Sequence, residues 1–169
     1  MKKIKNIKSI KAVIVCVMLS ALMLVGCGSE KEEAGKYTSK EIYDNVMTSI
    51  TDMENMKVVD NTTEEGKDAF SYVTEVDLDK IKDFVFAYSA DGNADEIIVM
   101  QVKSSDDVSR AKKDLEERLE TRKSTFSVYN AEEGAKFNGA TVVTNGNYLM
   151  LIIGNQAQNG KYQFNKMFE

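Results

Sequence analysis

Histidine, tryptophan and proline are absent from the 169-residue chain, and cysteine occurs only twice, as Cys16 and Cys27. Without histidine the chain lacks the commonest general base and the commonest transition-metal ligand. Both cysteines fall in the first 27 residues, so the remainder has no thiol for a disulfide, a nucleophile or a thiolate metal site. Basic charge is also unevenly spent. Lys2, Lys3, Lys5, Lys8 and Lys11 precede the first acid, Glu30, in a chain with 22 basic and 27 acidic side chains. If the leader is removed, five basic groups go and every acid stays, so the formal charge moves from −5 to −10. Such a surface repels nucleic acid and anionic lipid headgroups alike, and no nucleic-acid partner is expected.

What is present begins with an export pattern. Met1–Lys11 is basic, and Ala12–Val25 is an apolar run broken only by Ser20. Spanning a bilayer takes about 20 apolar residues in a helix, and this run is shorter. A basic flank before a short apolar stretch is the pattern of a signal peptide, preferred here over an uncleaved anchor helix. The run ends Leu24-Val25-Gly26-Cys27, which resembles the bacterial lipobox. An aliphatic residue, a tolerated one and a small one precede the cysteine that carries the lipid. The expected organisation is a signal peptide over 1–26, a lipidated Cys27 with a flexible tether over 27–37, and a single domain over 38–169. The expected location is the extracytoplasmic face of the cell membrane, held there through the lipid on Cys27.

Periodicity in the rest predicts an α+β domain. Thr38 and Glu41 have capping-box spacing, and Ile42, Val46, Ile50 and Met53 follow at helical intervals, giving a helix over 39–53. Residues 54–66 are polar and break the pattern. Residues 67–82 fit a short helix followed by a turn, or an irregular segment. Phe84, Phe86 and Tyr88 alternate with Val85 and Ala87, and Ile97–Val102 is apolar on both faces. With Asp91-Gly92-Asn93 between them, these runs predict a hairpin. Ser104 or Ser105 caps a helix over 105–124 with Val108, Ala111, Leu115 and Leu119 inward, and with Phe126, Val128 and Tyr129 packed at its end. Asp106–Arg110 and Asp114–Arg118 have the spacing of ion pairs one helical turn apart. After a polar connection over 130–139, Asn145-Gly146-Asn147 separates strands 140–144 and 148–153 as a second hairpin. The second of these strands has almost no polar side and belongs inside the sheet. A last helix over 156–168 buries Tyr162, Phe164 and Phe168. The expected sheet is thus four-stranded and largely antiparallel, built from two hairpins with helices packed on it.

Together, the lipobox, Ala94-Asp95-Glu96-Ile97-Ile98, Arg118 and Arg122 on the long helix, Tyr129, and Gly146-Asn147-Tyr148-Leu149 resemble small Firmicutes lipoproteins carrying a domain of unknown function. The likeness spans roughly residues 38–155. Members often carry a proline just after the tyrosine, where this chain reads Tyr129-Asn130-Ala131. The resemblance implies an exported, membrane-tethered domain and assigns no reaction.

Possible chemistry rests on a few acidic and basic pairs. Asp91-Gly92-Asn93-Ala94-Asp95 has the spacing of the first half of a calcium loop. Glu96 and Val102 occupy the positions where that loop needs Gly and Glu, so a turn with solvated carboxylates is preferred. Asp77-Leu78-Asp79 resembles a metal-binding acid pair, but Asp77 as a cap is the simpler reading. Glu64-Glu65 and Glu132-Glu133 offer paired carboxylates for glycoside hydrolysis, against a reading as solvated surface. Asn61-Thr62-Thr63 matches a glycosylation sequon by pattern alone. Arg118 and Arg122 would suit an anionic ligand, or serve solubility on an exposed face. No cofactor or metal is expected. The preferred function is non-enzymatic binding of an envelope protein or a cell-wall component. The alternative is a small cell-wall glycan hydrolase using two carboxylates.

Overall fold

The computed structural model describes residues 35–169. The expectations for the signal peptide, for Leu24, Val25, Gly26 and Cys27, and for the tether up to residue 34 lie outside the described residues. The elements run α1 (Ser39–Met47), β1 (Met56–Asp60), α2 (Glu64–Phe70), β2 (Ile81–Ser89), β3 (Glu96–Val102), α3 (Val108–Tyr129), α4 (Ala131–Ala135), β4 (Thr141–Asn145), β5 (Tyr148–Ile153) and α5 (Ala157–Lys166). Every strand pairing is antiparallel, in the order β1-β2-β3-β5-β4. The α+β class and both hairpins are as the patterns predict, but the sheet has five strands, not four. The fifth is β1, inside the stretch that reads as a polar break. It is an edge strand paired only with β2, and Val59 is its one buried residue, so it carries no apolar alternation to detect.

Side-chain alternation splits the core in two. On one face Phe84, Phe86, Ile98, Met100, Leu149 and Leu151 pack with Ala111 and Leu115 of α3. On the other, Val85, Ala87, Ile97, Val99, Met150 and Ile152 pack with Ile42 and Val46 of α1 and Phe164 of α5. The two faces explain why β3 and β5 read as continuous apolar runs: both strands are interior to the sheet and covered on both sides.

The helix ends depart from the sequence pattern for local reasons. Thr38 and Glu41 form the predicted capping box. The helix stops at Met47, not 53: the Thr48, Ser49 and Ile50 N–H groups bond three residues back, to Asn45, Val46 and Met47, tightening the last turn, and the Thr48 and Ser49 hydroxyls donate to the same Asn45 and Val46 carbonyls. Ile50 and Met53 still reach the core from the loop beyond. In α3 the first turn is a 3-10 segment over Ser105–Asp107, capped by Ser104, and the helix continues to Tyr129. Asn130 caps the short α4 within what reads as a polar connection, accepting from the Glu132 and Glu133 N–H groups. Some expected core residues are placed differently: Val128 and Tyr162 are exposed, and Val108, Leu119, Phe126 and Phe168 are only partly buried.

Two glycines are required by the backbone. Gly146 (φ +52°) opens the two-residue turn Gly146-Asn147, the sign expected at the first position of a type II′ hairpin. Gly66 lets α2 lie on β1, since a Cβ there would stand 1.9 Å from the Asp60 carbonyl oxygen.

Candidate functional site

At the start of β3, the short stretch Ala94-Asp95-Glu96 gathers most of the buried charge. Glu96 points to the α3 face and is fully buried. Arg118 on α3 grips it with two hydrogen bonds, Nε to Oε1 at 2.7 Å and Nη2 to Oε2 at 2.8 Å, a fork-on-carboxylate geometry. Arg122, one turn further on, brings its Nε to 3.3 Å from Glu96 Oε2 and donates through Nη2 to the Ala94 carbonyl. Each guanidinium also lies over a ring, Arg118 over Phe86 at 5.2 Å and Arg122 over Phe126 at 5.1 Å. Burial pulls the Arg122 guanidinium below its ordinary value, while Glu96 acts to raise it and Arg118 to lower it.

The Asp95 side chain and the Ala94 N–H of the same stretch are held by residues of α4 and just after it. Lys136, just after α4, bridges Asp95 at 2.6 Å and Glu133 at 2.8 Å, and Glu133 accepts the Ala94 N–H. The network therefore holds three cations and three anions: Arg118, Arg122 and Lys136 against Glu96, Asp95 and Glu133. It ties the β2–β3 connection to both α3 and α4.

One turn before Arg118, Asp114 anchors the loop that follows α2. It accepts the Thr74 hydroxyl and the Glu75 N–H, both at 2.8 Å, and pairs with Arg110 Nε at 3.0 Å. Arg110 also bridges to Glu75. Arg118 Nη1 donates to the Tyr72 carbonyl, so the loop is pinned at two places. Val73 and Val76 turn into the core, whereas the Tyr72 ring is 85% exposed. Between this loop and α3 lies a cleft of about 300 Å³, with Arg118, Thr121 and Arg122 along its helical wall. A smaller cleft of about 210 Å³ lies on the other side of the two arginines, against Phe86, Tyr88 and Phe126.

Other residues flagged by the sequence are dispersed and engaged. Glu64 pairs with Lys67, Glu65 with Lys57 and Glu133 with Lys136, so neither acidic pair presents two free carboxylates to one space. Asp91 accepts from Asn55 while Asp95 turns to Lys136, which separates the acids of the calcium-like spacing. Asp77 precedes a 3-10 turn over Leu78–Lys80 but makes no side-chain cap. Thr63 of the sequon pattern caps α2. The predicted Asp106–Arg110 and Asp114–Arg118 pairs are replaced by Arg110–Asp114 and Arg118–Glu96. Arg118 and Arg122 are mostly buried rather than set on an exposed face. Sequence reasoning gives Tyr72 and Lys136 no role in a site and takes Glu96 only as part of a motif, not as the partner of the arginines. A single acid heading a strand that is apolar but for Gln101, with two arginines one turn apart on the next helix, is the signal that marks Glu96.

A model of the family described as Domain of unknown function (DUF4358) matches residues 55–154. The chain belongs to this family. The DUF4358 match takes in all five strands, the pinned loop and α3, together with every member of the ionic network, and leaves out α1 and α5. No curated protein and no solved structure matches the chain. No helix among the described residues is long and apolar enough to cross a membrane. Among the same residues, no group of three or more acidic side chains is placed to hold a metal ion.

Proposed function

We propose that the chain is an exported lipoprotein, of the kind found in small Firmicutes lipoproteins, and that its DUF4358 domain is a non-enzymatic binding module. On this reading Cys27 carries the lipid. The polar residues that follow form a tether reaching roughly 15–20 Å by random-coil scaling, which keeps the domain near the outer face of the cell membrane. The observation that carries the binding role is the cleft beside Tyr72. A loop fixed by Asp114 and Arg118 holds an aromatic ring out in water at the lip of a polar hollow. Exposed tyrosines on rigid supports are frequent binding anchors, because little side-chain freedom remains to be lost on contact. The partner is an envelope protein or a cell-wall component.

The hydrolase alternative needs two carboxylates facing one another across a substrate, roughly 5–10 Å apart. Of the glutamates singled out for that role, Glu64, Glu65 and Glu133 are bound to lysines, so neither pair keeps two free carboxylates, which favours the binding reading. Two experiments test the proposal. A photocrosslinking residue at position 72 in intact cells is expected to give discrete adducts that the same residue at Tyr162, exposed on α5, does not give. Equal labelling from both positions would remove the cleft as the binding surface. Cys27→Ala is expected to abolish incorporation of a fatty-acid analogue; undiminished label on the variant would overturn lipidation at that residue.

A further inference from the structure

We infer that the cleft between the Ser71–Glu75 loop and α3 takes an uncharged, polyhydroxylated ligand, a sugar unit of a glycan, with Tyr72 stacked on its apolar face. The inference rests on the binding-module reading and names its ligand class.

Charge balance is the first argument. The cleft is walled by charged side chains, yet nearly every one is matched. Arg118 and Arg122 belong to the six-group network whose charges cancel. Asp114 is held by Arg110, and Glu117 by Lys113 at 2.9 Å. The one carboxylate in excess is Glu75, which shares Arg110 with Asp114 and is 80% exposed. An anionic ligand would therefore meet no surplus positive charge. A neutral ligand is not penalised.

Hydrogen-bonding character is the second. A sugar hydroxyl both donates and accepts, so it is best met by acceptors and donors side by side. Paired carboxylates keep spare lone pairs, and a guanidinium has five donors, of which the contacts of Arg122 use only some. The Thr121 hydroxyl adds a group that can do either. The third argument is the ring. Among the described residues Tyr72 is the most exposed large hydrophobic side chain at 85%, on a backbone held by Arg118 at its own carbonyl and by its buried neighbours Val73 and Thr74. A flat ring beside paired donors and acceptors offers one apolar and one polar wall. A pyranose ring has the matching faces, C–H groups above and below and hydroxyls around the edge.

The test is titration calorimetry on the full chain in detergent micelles. The probes are neutral gluco-, galacto-, manno- and N-acetylglucosamine tetrasaccharides, with acetate and inorganic phosphate as anions. At least one tetrasaccharide is expected to bind saturably, and the anions are expected neither to bind nor to compete. Tyr72→Ala, at an exposed position that leaves the fold intact, is expected to weaken binding at least about tenfold, and Tyr72→Phe to stay within about threefold, because the ring and not the hydroxyl stacks. The inference is overturned if no tetrasaccharide binds, if Tyr72→Ala binds as the parent does, or if an anion competes. Crosslinks from position 72 to a protein, with no sugar binding, would refute the sugar class and leave the binding module standing. Release of reducing ends from any tetrasaccharide would instead refute the binding-module reading itself.

Discussion

On one face of the sheet, α1 and α5 cover Val85, Ile97, Val99, Met150 and Ile152 with Ile42, Val46 and Phe164, almost all of them without access to solvent. On the other face, α3 does the same at its start, where Ala111 and Leu115 meet Phe84, Met100 and Leu149. One turn later that apolar seam gives way to Arg118 and Arg122 over a buried Glu96. The first face is held mainly by apolar area, with directed bonds at its rim such as those from Ser39 to Asp83; apolar area is non-directional and tolerates exchange of one aliphatic residue for another of similar volume. The second is held at one end by directed bonds that fix where the Tyr72 loop sits. Ionic groups buried in this way contribute little net stability compared with a well-packed apolar set, so their value lies in position. The family match follows the second arrangement, taking in the network and leaving out α1 and α5.

Breaking either face should be costly for different reasons. Ile152 is fully buried on β5, on the face covered by α1 and α5, and Ile152→Ala in the piece 36–169 is expected to lose about 4 kcal/mol in urea unfolding, within the range for large-to-small core changes. A cost near zero would mean that β5 is not interior. Glu96→Gln keeps volume but leaves Arg118 and Arg122 without their counter-charge, and is expected to cost about 3 kcal/mol. The two losses should separate on the loop. Only Glu96→Gln is expected to speed proteolysis between Ser71 and Glu75, because only there does the Arg118 contact to the Tyr72 carbonyl loosen. Equal protection of that loop in both variants would argue against a positioning role for the network.

How readable each region is in the sequence follows the same division. Apolar periodicity registers elements that bury a stripe, so α1, β2, β3, α3 and β5 emerge from residues such as Ile42, Val46, Ile98 and Leu115. The strand β1 buries one side chain, and α2 and α4 are set by caps, Thr63 and Asn130, rather than by stripes. Their short, polar sequences do not distinguish them from loops. In the candidate site, Arg118 and Arg122 stand out as a pair, but helical spacing gives them to the solvent or to each other's turn. What buries them is Glu96, 22 residues earlier in the chain and brought close only by the strand-to-helix crossover. Tyr72 gives no signal of its own, since its exposure depends on Asp114, 42 positions on, holding the residues beside it.

The finest test of the directed side of the molecule is pH. Desolvation by itself raises the Glu133 carboxyl, but the Ala94 N–H and Lys136 outweigh it and hold the group below its ordinary 4.5. Desolvation likewise lowers the Lys136 ammonium, and its bonds to Asp95 and Glu133 reverse that, leaving it above 10.5. A carboxyl depressed on folding stabilises the fold above its unfolded value and loses that contribution as pH falls through the folded value. An ammonium raised on folding does the opposite, stabilising below its unfolded value and fading as pH rises through the folded one. Stability from this corner is therefore expected to be flat across neutral pH, to fall below about 4.5 and to fall again above about 10.5. Glu133→Gln should cost about 1 kcal/mol at pH 7, the scale of a charge-assisted hydrogen bond partly open to water. The parent and variant curves should converge as the pH drops, because protonation then removes from the parent what the substitution has already removed. A difference that persists unchanged at pH 3 would show that Glu133 acts through packing and not through its charge.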